Sequence, residues 1–121
     1  MLSLGQTIES TMQKEALYHR TKDGHEKNQL ALDIIEEFTY LSQVERAQQW
    51  IYTLMDNSFN SENDTLQYYI KTNQAEIFYW CNLFEFADQP ANEALKIAEN
   101  LKDSMFISNA AMFVSYVKEM Q

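Results

Sequence analysis

Apolar residues recur at three- and four-residue spacing along most of the chain, the period of one face of an α-helix. Leu4, Ile8, Met12 and Ala16 follow one another every four residues behind Ser3, a residue type that caps helices, and predict a first helix over about 3–20. Thr21-Lys22-Asp23-Gly24 is a turn signal. A second helix is predicted over about 26–41. Leu30, Ala31, Ile34, Ile35, Phe38 and Leu41 fill one arc of its wheel, and Asp33, Glu36, Glu37 and Tyr40 the opposite one. Ser42-Gln43-Val44-Glu45 has the form of a capping box and opens a third helix over about 43–57. Its stripe is Val44, Ala47, Ile51, Leu54 and Met55, widened by Trp50. The polar run from Asp56 to Asp64 reads as a loop.

A fourth helix is then predicted over about 64–87. Asp88-Gln89-Pro90 ends it, with Asp88 as the cap of a fifth helix over about 90–103 and Pro90 in its first turn. A sixth, over about 105–120, is apolar around most of its circumference. The expectation is a single all-α domain over residues 1–121. Its five to six amphipathic helices pack as antiparallel helical hairpins, in a bundle or a short solenoid-like array.

Residues 76–86, EIFYWCNLFEF, hold five aromatic residues and the one cysteine. On a continuous helix, Ile77, Tyr79, Trp80, Leu83, Phe84 and Phe86 share a half-circumference apolar face. That places Cys81 at its edge as a passive thiol. Phe78 alone falls in the polar arc, which singles it out as a contact anchor.

The segments 38–59 and 84–106 echo each other: an aromatic helix end, a short turn containing Gln, an Ala-centred helix, then Leu-x-Asp-x-x-Phe. The offset is 46 residues before the turn and 47 after it. The echo describes two stacked helical hairpins. EFADQPANEALKIAENL loosely resembles a tetratricopeptide hairpin. Its small-residue and aromatic spacing departs from that family's pattern, which leaves hairpin architecture as the reading and not the family.

Composition narrows the function. Two glycines and one proline among 121 residues disfavour turn-rich β folds and exclude a glycine-rich phosphate loop. The net charge is −9, with residues 31–70 carrying seven acids against Arg46 alone. No basic footprint for nucleic acid or for an anionic membrane is visible. A single cysteine, no signal-like leader and no membrane-length apolar run predict a cytoplasmic location.

Catalytic and metal signatures are scarce. Ala16 and Lys22, not glutamates, stand three residues before His19 and His25, so the di-iron bundle motif fails. No zinc motif, seryl nucleophile elbow or base for Cys81 is apparent, so no cofactor, metal or catalytic set is assigned. RTKDGH, Arg20 to His25, resembles the Arg-x4-His element of HEPN-type ribonucleases. The resemblance implies that His25 would act as a base and Arg20 would stabilise phosphate charge.

The leading expectation is a non-enzymatic, acidic protein-binding domain that inhibits a basic effector, of the toxin-immunity, antitoxin or phage anti-defence type. Asp33, Glu36, Glu37 and Tyr40, with the 56–64 loop, would steer the basic partner and Phe78 would anchor it. The alternative is a scaffolding hairpin module that binds a peptide or self-associates as a homodimer through the C-terminal helix, at Met105, Met112 and Tyr116. The HEPN-like ribonuclease is the second alternative.

Overall fold

Three helices of this chain end at a residue with left-handed backbone, Ser42, Asn82 or Lys102. The computed structural model describes residues 4–57 and 62–121, with side chains from residue 8 onward. Six α-helices and no strand occur among them: α1 Leu4–Arg20, α2 Gly24–Tyr40, α3 Val44–Asp56, α4 Asp64–Trp80, α5 Phe84–Leu101 and α6 Ser104–Met120. The fold is all-α, as expected. Ser3 and residues 58–61 of the 56–64 loop, including the Phe59 of the echo, lie outside the described residues.

The helices form two compact units, 1–56 and 57–121. In the first, α2 lies against both α1 and α3. Ala31, Ile34, Ile35 and Phe38 of α2 and Ala47, Ile51 and Leu54 of α3 are buried. In the second, α5 lies against both α4 and α6. Ala75, Ala87, Ala91, Val114 and Val117 form its core, with Phe78, Tyr79, Leu95 and Phe113 packed around it. Small residues dominate that core, which lets α5 approach its neighbours closely.

The α2 and α4 helices end the same way. Ser42 and Asn82 take φ of 62° and 61°. Ser42 N–H donates to Thr39 O and Gln43 N–H to Phe38 O. Asn82 N–H donates to Tyr79 O and Leu83 N–H to Phe78 O. Both sets are the paired bonds of a Schellman motif, which satisfy carbonyls the helix end would otherwise orphan. The starts match as well. Side-chain oxygens of Asp23, Asn63 and Asp103 accept from the backbone N–H of Glu26, Leu66 and Phe106, each at 3.0 Å.

These caps fall in one register. α2, α4 and α6 begin at 24, 64 and 104 and end at 40, 80 and 120, and α3 and α5 begin at 44 and 84. These helix bounds therefore recur every 40 residues. This replaces the 46- and 47-residue offset of the echo, which paired residues that resemble one another in type but not in structural position.

Three sequence expectations fail for local reasons. Ser42 does not cap α3, because its left-handed backbone closes α2 instead. The α4 helix stops at Trp80 and not at 87, because Asn, which tolerates the left-handed region, closes it at position 82. Asp88 and Pro90 consequently lie inside α5, in its second turn, where Pro90 is buried and leaves the Phe86 carbonyl without its helical donor. On α1 the predicted stripe is out of register. Met12 is 50% exposed, Ala16 is exposed and Thr11 is 0% exposed.

Ser42 and Lys102, the latter at φ 56° beyond α5, pay the steric cost of a Cβ in the left-handed region. Ser42→Gly and Lys102→Gly are each expected to raise stability by up to about 1 kcal/mol. Asn82→Gly should raise it less, and chemical denaturation of the three variants measures the difference.

Candidate functional site

Ending α4 at Trp80 splits the aromatic cluster between two helices and turns part of it outward. Trp80 is 67% exposed, Phe86 62% and Leu83 44%. Cys81 is exposed as well, not an inward core-edge thiol. The inward members are Tyr79 and Phe84, half-buried, with Tyr79 in ring contact with Phe84 and with Phe113 of α6, at 5.4 Å in both cases. The continuous-helix wheel missed this division. The cue in the sequence was Asn82, a residue type that accepts positive φ at a helix end.

Phe78 is half-buried and belongs to both surfaces. It packs against the α5–α6 core and meets the exposed Phe86 ring at 5.9 Å. In the 40-residue register its counterpart is Phe38, fully buried, over which Arg46 lies at 5.6 Å. Phe86 is the counterpart of Arg46. The first unit thus covers its aromatic residue with its own cation, whereas the second covers it with an exposed ring.

Two shallow depressions flank Phe86. One, of about 270 Å³, is lined by Phe78, Phe86 and Pro90 with Lys71, Gln74 and Glu93 at its polar edge. The other, of about 260 Å³, lies between the α4–α5 turn and Met120. Lys71 is paired with Glu93 at 2.8 Å, and its hydrogen bond holds the Glu93 carboxyl below the usual range. From 72 to 95 the chain carries Glu76, Glu85, Asp88 and Glu93 and no lysine or arginine. The corner is therefore an apolar ridge in an acidic setting.

The acidic face expected on α2 is divided. Tyr40 is 86% exposed and Glu36 is exposed. Partial burial, then the nearby Asp33 and Glu37, push the Glu36 carboxyl above the usual carboxylate range. Asp33 accepts from Gln29 on its own helix at 3.1 Å. Glu37 turns towards α1, where it accepts from Thr11 Oγ1 at 2.8 Å and is paired with Lys14. Its place in the unit is structural. The other expected residues lie as follows. Arg20 ends α1 and His25 stands in the first turn of α2, both exposed. On α6, Met105, Met112 and Tyr116 are 69%, 50% and 46% exposed. No group of side chains suited to a metal ion occurs among the described residues, and no helix among them is long and apolar enough to cross a membrane.

The Thr11–Lys14–Glu37 set occupies register positions that are apolar elsewhere: Ile51, Leu54 and Ile77, then Ala91, Ala94 and Val117, all buried. A half-exposed ion pair contributes at most about 1 kcal/mol. Removing one partner costs more than the pair contributes, because the other keeps its desolvation without compensation. Glu37→Ala is expected to destabilise by about 1–2 kcal/mol. The volume-conserving triple Thr11→Val, Lys14→Met, Glu37→Met should leave stability unchanged or higher. The pH dependence has a definite sign. The hydrogen bond to Glu37 raises the Lys14 pKa above its ordinary 10.5. Its contribution is then fully present below that value and lost as pH rises through the folded-state value. The triple variant lacks this alkaline loss, which denaturation between neutral and strongly alkaline pH detects.

Comparison with protein-family models, with curated proteins and with solved structures finds no match to this chain.

Proposed function

We propose that the chain is a non-enzymatic protein-binding module built from a 40-residue helical repeat, and that it takes up a basic, amphipathic segment of a partner protein at the α4–α5 corner. The observation that carries this reading is the outward placement of Trp80, Leu83 and Phe86 around one turn. Large aromatic side chains exposed together on a rigid turn are the residue types that anchor interfaces, and isolated ones need no such account. The surrounding carboxylates favour a cationic partner, which they would steer and orient. The first unit supplies the chemical template: a guanidinium over Phe38 is what a partner's arginine would place over the Phe78–Phe86 pair.

This reading combines the peptide-binding scaffold with the preference for a basic partner. It moves the docking surface away from the α2 carboxylates, since Glu37 is committed to α1. Inhibition of an effector would be one use of such a surface.

Affinity capture from the native cell, with quantitative mass spectrometry, tests the reading when run with four baits. The intact chain is expected to retain a protein with a basic segment, less strongly as salt rises. Phe86→Ser and Trp80→Ser should each reduce retention at least tenfold, a loss of about 1.4 kcal/mol or more. Glu85→Lys should reduce it and weaken its salt dependence. Retention of the same partner by all four baits would contradict the assignment. Trp80 is also the exposed tryptophan of the pair, Trp50 being 8% exposed, so a fluorescence shift on binding reports this corner.

A further inference from the structure

α2 and α6 each pack one face against the helix before them. On α2 it includes Glu37, bonded to Thr11 and Lys14 of α1. On α6 it is Ala110, Val114 and Val117, all buried, with Val114 and Val117 in the cluster that holds Ala91 of α5. The other face meets the helix that follows. On α2, Phe38 lies under Arg46 of α3. On α4, Ala75 and Phe78 pack with Ala87 and Ala91 of α5. The same positions on α6 are Ser115 and Lys118, both exposed, and Ala111, at the register position of the buried Ala31, is exposed with them.

That open face is shaped for a close helix. Ser104, Ser108, Ala111 and Ser115 fall at i, i+4, i+7 and i+11, and all are exposed. They make a shallow groove of small side chains along the axis. Beside it runs a ridge of Met105, Met112 and Tyr116. A groove and a ridge side by side on one helix are self-complementary. A two-fold, antiparallel pairing sets the ridge of each copy into the groove of the other.

Charge points to the same occupant. Ser104 to Val117 contains no charged residue, in a chain of net charge −9. Two such acidic chains repel one another, so a surface that joins them must be free of carboxylates. The charges stand at the ends, Asp103 before the stretch and Lys118 after it. An antiparallel pair centred on Ala110 and Ala111 brings Asp103 of each copy beside Lys118 of the other, whereas a parallel pair sets like charges together.

We infer that α6 is the interface of a homodimer of this chain, with two antiparallel α6 helices crossing at Ala110–Ala111. The stretch is about 21 Å long at 1.5 Å per residue, which places the contact at the small end of specific interfaces and its affinity in the micromolar range.

Sedimentation equilibrium from about 1 to 500 µM spans that range. The expected mass rises from 14.3 kDa towards twice that value. Added salt should leave association unchanged or strengthen it, because screening relieves repulsion between acidic chains. Ala111→Arg and Met112→Asp, both at exposed positions, should weaken it at least tenfold with helical circular dichroism unchanged. Trp80→Ser should leave it intact, which separates this interface from the α4–α5 corner. With Cys81→Ser as background, Ala111→Cys should cross-link two chains under copper-phenanthroline oxidation, and Lys118→Cys should not. A monomer throughout the range, a dimer insensitive to Ala111→Arg, one lost with Trp80→Ser, or cross-linking at Lys118→Cys in place of Ala111→Cys would each overturn the inference.

Discussion

Two backbone turns, Cys81 to Leu83 and Leu41 to Gln43, constrain everything else in this protein. In each, one residue adopts positive φ, and two turn N–H groups reach back to carbonyls of the preceding helix. The turn stops a helix and starts the next three residues later. It therefore fixes which side chains of the following helix point inward. If Asn82 were helical, α4 would continue and Trp80 and Phe86 would share a buried face. Because it is left-handed, Ala87 and Ala91 enter the core and Phe86 faces out.

The same constraint gives the chain a register, and the register gives its substitutions meaning. Positions equivalent across 40 residues carry very different side chains. Thr11, Ile51 and Ala91 occupy one position, and Glu37, Ile77 and Val117 another. The helix geometry survives because caps and turns are held by local backbone and Asx bonds that do not depend on what fills the core. Packing then adapts to local volume: hydrogen-bonded polar groups between α1 and α2, alanines and valines between α5 and its neighbours. The partner-facing surfaces arise from the same variation. At the register position where the first unit places Arg46, the second places Phe86. At the position where α2 and α4 carry buried Ile35 and Ala75, α6 carries exposed Ser115.

The helix content and most of the helices were legible from apolar spacing. The α2 helix is the clearest case: its predicted inward residues Ala31, Ile34, Ile35 and Phe38 are all 0% exposed. Two kinds of information were not legible in that way. The α1 helix packs through Thr11, Lys14, Glu15 and Tyr18, so its inward face is polar and hydrophobic period points elsewhere. Glu15, for example, accepts from the Trp50 indole N–H at 2.8 Å. The break after Trp80 lacks glycine and proline, and an apolar run continues through it, so periodicity alone carries the helix onward to the Asp-Gln-Pro signal. The candidate corner depends on that break, and for this reason only Phe78 of its residues stood out in the sequence. On α6, Met105, Met112 and Tyr116 stood out from the excess of apolar residues around that helix, and all three are exposed.

Backbone NMR of the full chain tests the central claim, the 40-residue register set by left-handed turns, most directly. Carbon shifts and amide–Hα couplings should show helix over 24–40, 64–80 and 104–120, left-handed backbone at Ser42 and Asn82, and slowed amide exchange at Gln43 and Leu83. Continuous helical shifts from Asp64 through Ala87 would contradict the account, because they would return Trp80 and Phe86 to one face and remove the register on which both proposed surfaces rest.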